Sequence, residues 1–321
     1  MRETPPTVHT RAEPARARDP ETPMLRNVER RRLALPERGV EIALLDFGGD
    51  GPPLLAHHAN GFCAGLWAPV AERLREHFHV VAMDARGHGD SSHPEAPDAF
   101  EWHQFAEDLV AVAEHVVEAA GRPLAVGLGH SFGGTSTLAA AALRPELFER
   151  VVCVDPVIFP PEAPDPARSE HGRSLVDGAR KRRREWPDRR AALEHFRPRS
   201  LFSGWTDRTL ALYVDEGLRA RSDGSLELKC APEVEAAVFG GSRRFALFDR
   251  VEGMKTPALL LWARHGNFPH ALFARLAVHL GDARIEEVDA GHLIPMEKPE
   301  IVVDAVLRFA GVGEGARGRA S

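Results

Sequence analysis

The stretch Pro123-Leu124-Ala125-Val126-Gly127-Leu128-Gly129-His130-Ser131-Phe132-Gly133-Gly134-Thr135 decides how this chain is read. Pro123–Gly129 is apolar and bounded by glycine, which predicts a buried strand, and Phe132–Leu143 predicts a helix. Between them, Gly129-His130-Ser131-Phe132-Gly133 fits G-x-S-x-G. A strand that turns directly into a helix needs a tight reversal, and the glycines remove side chains that would collide there. Ser131 is then held at the end of the sheet and at a helix N-terminus, where free N–H groups favour developing negative charge. A glycine-rich turn with an incidental serine is the bland alternative. A dinucleotide site is a second one, since Gly127 and Gly129 begin G-x-G-x-x-G, but Phe132 fills the position where helix and strand must pack closely.

Outward from this turn, strand patterns fall at Arg31–Leu35, Val40–Phe47, Pro53–His58, His79–Asp84, Arg150–Val154, Pro257–Ala263 and Arg284–Val288. Leu259-Leu260-Leu261-Trp262 is apolar at every position, as in a strand covered on both faces. Helical patterns fall between them at Gly65–Glu76, Phe100–Ala120, Pro269–Leu280 and Glu300–Phe309. An opening hairpin followed by β–α alternation predicts an α/β fold with a mostly parallel central sheet flanked by helices. The alternation breaks between Pro156 and Arg250, where helical patterns and aromatics dominate and one weak strand signal lies near Leu226–Lys229. The expected organisation is therefore a core of residues 25–155 and 251–310, with 156–250 inserted as a helical cap. Residues 1–24 have almost no large apolar side chains and are expected to be a disordered tail. Residues 311–321 are expected to be a loose C-terminal tail.

Composition narrows the partners. The chain of 321 residues has 41 Lys and Arg against 47 Asp and Glu, a net charge of -6, which argues against nucleic acid. No apolar run approaches the roughly 20 residues that span a bilayer, and no secretory h-region opens the chain. Cys63, Cys153 and Cys230 are too few and too scattered for a disulfide framework, which makes the reducing cytoplasm the expected location. The histidines at 57, 58, 77, 79 and 88 lack the H-E-x-x-H spacing of a zinc site and read as packing or loop residues. No metal is expected.

These motifs resemble the α/β-hydrolase superfamily, in particular its cap-bearing serine esterase and lipase-like branch, over roughly residues 30 to 310. The resemblance implies a nucleophile at Ser131. His292, in Asp289-Ala290-Gly291-His292 followed by Pro295, Glu297 and Pro299, lies in the C-terminal loop that carries the family's general base. An imidazole suits that task because it titrates near neutral pH. Asp84-Ala85-Arg86-Gly87-His88-Gly89-Asp90-Ser91 resembles a family loop of structural role. The third triad member departs from the common pattern. Most relatives place an Asp after the strand read here as Pro257–Ala263, and this chain has Arg264-His265-Gly266-Asn267 there. Some carry the acid after the preceding strand, where this chain has Asp155. Asp155 is therefore the expected acid, with Asn267 as a neutral runner-up. The oxyanion hole is expected from the backbone N–H groups of Phe132 and Phe62, with Asn60 or Gly61 as alternatives to Phe62.

The expected activity is hydrolysis of a fairly hydrophobic carboxylic ester, lactone or thioester through an acyl-enzyme, with no cofactor and a small-molecule substrate. Trp186, Phe196, Phe202, Trp205, Tyr213 and Phe239 either line a pocket over Ser131 or pack the cap's own core. The basic run Arg180–Arg184 reads as a solvated helix face. Perhydrolysis, carbon–carbon bond hydrolysis and a non-catalytic ligand-binding protein on the same scaffold remain alternatives.

Overall fold

Apolar residues at consecutive positions of a strand need cover on both faces, and the chain provides it. A computed structural model describes residues 25, 27–96, 98–162, 170–241 and 245–312. The expected N-terminal tail and most of the expected C-terminal tail (313–321) lie outside the described residues. In chain order the strands are β1 (Glu29–Leu35), β2 (Val40–Gly48), β3 (Pro53–His57), β4 (His79–Met83), β5 (Val126–His130), β6 (Val151–Val154), β7 (Glu185–Trp186), β8 (Leu218–Ala220), β9 (Leu226–Leu228), β10 (Ala258–His265) and β11 (Ala283–Gly291). Eight form one sheet in the order β1-β2-β4-β3-β5-β6-β10-β11. The pairs β1–β2 and β2–β4 are antiparallel and the others parallel.

Every residue of β3, β5 and β6 is buried. Successive side chains of a strand point to opposite faces. Leu54 and Ala56 accordingly belong to the apolar cluster that includes the helices Ala68–Leu74 and Pro299–Phe309, while Leu55 belongs to the one that includes Trp102–Ala120, Phe132–Leu143 and His270–His279. At the sheet's edge, β1 is mostly exposed and carries Arg30, Arg31 and Arg32. Charged side chains on an edge strand oppose pairing with another chain.

Strand ends moved by a few residues from the sequence reading. The segment before β5 leaves the ladder early, and Leu124 makes an isolated bridge to Phe148. The predicted helix Gly65–Glu76 begins as a 3-10 turn over Ala64–Trp67 and becomes α-helical only at Ala68–Leu74.

Residues 156–250 leave the sheet after β6 and return before β10. They hold the helices Glu170–Arg180, Arg189–Phe196, Asp207–Gly217, Pro232–Gly241 and Leu247–Arg250 and a small antiparallel sheet in the order β7-β9-β8. The weak strand signal near Leu226–Lys229 is β9, while its partner β8 had no expectation from the sequence, although Asp223-Gly224 marks the turn between them and Gly224 adopts φ +83° there. This segment rests on the loops after β3 and β4. The Asp207–Gly217 helix lies against Ala64–Trp67, Lys229 Nζ pairs with Asp90 Oδ1 at 2.8 Å, and Trp102 Nε1 donates to the Val238 carbonyl at 2.7 Å.

Candidate active site

The strand order sets the place of the site. β4 and β5 lie on opposite sides of β3, so the connections leaving β3 and β5 diverge and open a crevice at the strands' C-terminal ends. The loop His58–Phe62 and the turn at Ser131 flank it, in register through the pair His57–Gly129.

Ser131 stands between β5 and the helix Phe132–Leu143 with φ 56° and ψ -121°, a conformation that costs free energy for a non-glycine residue. Its surroundings hold it there. Ser131 N donates to Val154 O at 2.9 Å, and its carbonyl accepts from Thr135 N at 3.1 Å and Val157 N at 3.3 Å. The two flanking glycines are required by contact. A Cβ on Gly129 would lie 2.4 Å from the Gly133 carbonyl oxygen, and one on Gly133 would lie 2.4 Å from the carbonyl oxygens of His57 and His58.

Three side chains from three connections meet here. His292 Nε2 lies 2.8 Å from Ser131 Oγ, and His292 Nδ1 lies 2.5 Å from Asp155 Oδ2. Asp155 follows β6 directly, has φ 41°, and is fully buried. Its second oxygen, Oδ1, accepts from Ala263 N at 3.0 Å. Both carboxylate oxygens thus face donors, which is how a buried charge is retained. Asn267, the runner-up for this position, is exposed. This geometry can take a proton from a serine hydroxyl and stabilise the imidazolium that results.

The His292 loop is tied down by residues the sequence reading did not assign. His130 Nε2 donates to the His292 carbonyl at 2.9 Å, and its ring lies 5.3 Å from that of His292. Burial pushes the His130 imidazole down to about 3, so the ring is neutral and has one N–H to donate. Glu297 Oε2 accepts from Gly291 N at 3.1 Å. His130 sat inside the recognised motif, but nothing in one sequence pairs it with a carbonyl 162 residues away.

The donors facing the crevice differ in their freedom. Phe132 opens its helix, so its N–H has no intrahelical acceptor. The Phe62 N–H, expected as the second donor, is instead bonded to the Ala59 carbonyl at 3.2 Å, closing a turn. The Asn60 N–H has no protein acceptor among the described residues.

Asp84 acts as a brace between loops. Its Oδ1 accepts from Ala64 N at 2.7 Å and its Oδ2 from Asp90 N at 2.8 Å, while burial pushes its carboxyl up to about 6. Trp186, Phe196, Phe202, Trp205 and Tyr213 pack on one another, with neighbouring ring centroids 4.8–5.9 Å apart, and Phe62 joins them. They are core of the inserted segment. The basic run is not a helix face, since the helix ends at Arg180 and Arg182 turns inward. Among the described residues no cluster of three or more His, Cys, Asp or Glu side chains could hold a metal ion, and no helix is long and apolar enough to cross a membrane.

Comparison with known proteins gives this arrangement a family. Residues 54–305 match the model described as "Alpha/beta hydrolase family". The 2-(acetamidomethylene)succinate hydrolase of Mesorhizobium japonicum is 33% identical over 107 residues, 33% of this chain and 36% of that protein. The type I acyl-CoA thioesterase mpaH of Penicillium roqueforti is 28% identical over 214 residues, 57% of this chain and 47% of that protein. The matched stretches thus span less than half the length of these curated relatives. The crystal structure of E-2-(acetamidomethylene)succinate hydrolase superposes with a TM-score of 0.76 at 22% identity, covering 89% of this chain and 100% of that one. With the match to the family model covering most of its length, the chain belongs to the alpha/beta hydrolase family.

Proposed function

We propose that the chain is a serine hydrolase that cleaves a fairly hydrophobic carboxylic ester or thioester through an acyl-enzyme on Ser131. The observation that carries this reading is the continuous relay Ser131 Oγ–His292 Nε2 and His292 Nδ1–Asp155 Oδ2, at 2.8 and 2.5 Å. His292 accepts the Ser131 proton as Oγ attacks the carbonyl carbon. The tetrahedral oxyanion is stabilised by the backbone N–H groups of Phe132 and Asn60, the latter replacing Phe62 because Phe62 is already bonded to Ala59. The imidazolium returns the proton to the leaving alcohol or thiol. Water, deprotonated by the same imidazole, then attacks the acyl-enzyme, and collapse releases the acid and restores Ser131. Asp155 keeps Nδ1 protonated throughout, so that Nε2 is the basic nitrogen.

Membership of a hydrolase family and relatives named as a thioesterase and a succinate-derivative hydrolase support acyl-group hydrolysis. A panel of nitrophenyl esters, acyl thioesters and lactones tests the substrate class, and a fluorophosphonate probe tests the nucleophile. Labelling and turnover are expected for the wild type. A wild type that neither turns over any member of the panel nor reacts with the probe would favour a ligand-binding protein on this scaffold.

A further inference from the structure

The turn Ala59–Phe62, which bears the assigned donor at Asn60, is held from two sides. From the core, His58 Nδ1 lies 2.7 Å from the Ala59 carbonyl oxygen, and His88 Nε2 lies 3.1 Å from Asn60 Oδ1. The other side belongs to the segment inserted between β6 and β10. Asn60 Nδ2 donates to the Glu235 backbone carbonyl at 3.0 Å. Above Gly61 itself sit two side chains. A Cβ built on Gly61 would lie 2.8 Å from the Glu235 carboxyl carbon and 3.2 Å from an Arg182 guanidinium nitrogen. Arg182, the middle residue of the basic run, binds Glu235 Oε2 with one guanidinium nitrogen and the Tyr213 hydroxyl with the other. Tyr213 in turn meets the Phe62 ring edge-on, with centroids 5.7 Å apart.

We propose that Arg182 and Glu235 are positioning residues for the oxyanion hole, their ion pair seated on Gly61 so that the inserted segment fixes the Asn60 peptide. The inference rests on the hydrolytic reading above and on Asn60 as donor. The pair is sheltered, with side chains 19% and 12% exposed. Removing one charge leaves the other without its counter-charge in a place where hydration is poor, which favours its shift toward water. Glu235 touches the turn at two points, with its backbone carbonyl on Asn60 Nδ2 and its carboxyl packed over Gly61, so a shift of this residue is felt on both sides of the Asn60–Gly61 peptide. The displacement therefore passes to the peptide that faces the oxyanion. A donor of this kind acts on the transition state and depends on placement within a fraction of an ångström. The effect belongs in kcat and not in KM.

The test uses Arg182→Gln and Glu235→Gln in the full chain. Kinetics are measured on a nitrophenyl ester that the wild type hydrolyses. Affinity is measured for a trifluoromethyl ketone, which forms the tetrahedral oxyanion, and for the carboxylic acid product, which does not. Each variant should lose about ten- to hundredfold in kcat, short of the 10²–10³ that deleting a donor costs, with KM within about twofold. Ketone affinity should fall in step while acid affinity holds. A kcat within about threefold of wild type in both variants overturns the proposal. So does a loss confined to KM, which would make Arg182 a substrate contact, or a parallel fall in ketone and acid affinity. Should Arg182→Gln fail a thermal melt, Glu235→Gln removes the same ion pair, and a kcat within about threefold of wild type there overturns the proposal equally. Failure of the hydrolytic reading looks different, because the wild type itself would then resist fluorophosphonate.

Discussion

Replacing Asp155 by Asn probes the relay at its least conventional member, and the structure supplies the size of the effect. Asn tolerates the positive φ of 41° at this position as well as Asp does, and it has the same volume, so the fold should survive. The side chain's orientation is then dictated by its neighbours. Ala263 N–H at 3.0 Å needs an acceptor, which places the amide oxygen there and turns the –NH2 toward His292 Nδ1. Nδ1 must then accept, the proton moves to Nε2, and Nε2 can no longer take the Ser131 proton. Flipping the amide restores the working tautomer but leaves a buried N–H unpaired, at about 1–3 kcal/mol. The flipped amide also lacks the charge that stabilises the imidazolium, a charged hydrogen bond of about 1.5–3 kcal/mol. Together these give a loss of about 10²–10⁴ in kcat. The assay is steady-state ester hydrolysis of the purified variant, with circular dichroism and a melting curve to establish the fold. A folded variant within about tenfold of wild type, only about 1.4 kcal/mol, would show that Asp155 does not serve the relay. Asn267→Ala, a change at an exposed residue, should stay within about twofold in the same assay.

Three further outcomes follow from the geometry. Ser131→Ala should abolish turnover and fluorophosphonate labelling, and labelling that persists at the wild-type rate would place the nucleophile elsewhere. Gly133→Ala should destabilise by about 1–3 kcal/mol or more in urea unfolding, because its Cβ would press on the His57 and His58 carbonyls; a stability unchanged within error refutes that contact. Stability should fall as the medium is acidified below about pH 6.5. His57 and His88 are pushed down to about 4 and His130 to about 3 by burial, so they stay neutral while the unfolded chain takes up protons. Each costs about 1.4 kcal/mol per pH unit between about 6.5 and its folded value. Asp84 works in the opposite sense, since a carboxyl raised to about 6 favours the fold as it protonates, but it is one group against three. Unfolding free energies that are flat or rising from pH 6.5 to 4.5 would contradict this balance.

Much of the fold could be read from local pattern. The turn at Ser131 needs glycines where backbones nearly touch, and Gly129 and Gly133 sit at those positions. The strands of the sheet were legible because burial on both faces demands apolar residues at every position, as in β3, β5 and β6. Short elements were not: β7 and β8, of two and three residues, are too brief to carry a period. Of the meeting side chains, Ser131 and His292 announced themselves by the turns that hold them, and Asp155 by standing as a carboxylate at the end of a buried strand. Their distances, and the carbonyl that occupies the Phe62 N–H, belong to the tertiary structure alone. So does the inward turn of Arg182 from a run that reads as solvated surface. The reason is physical. Backbone sterics and hydrophobic period act between neighbours and leave their mark in the local sequence, whereas a hydrogen bond between residues 137 or 161 apart depends on how the whole sheet twists and packs, which no local stretch encodes.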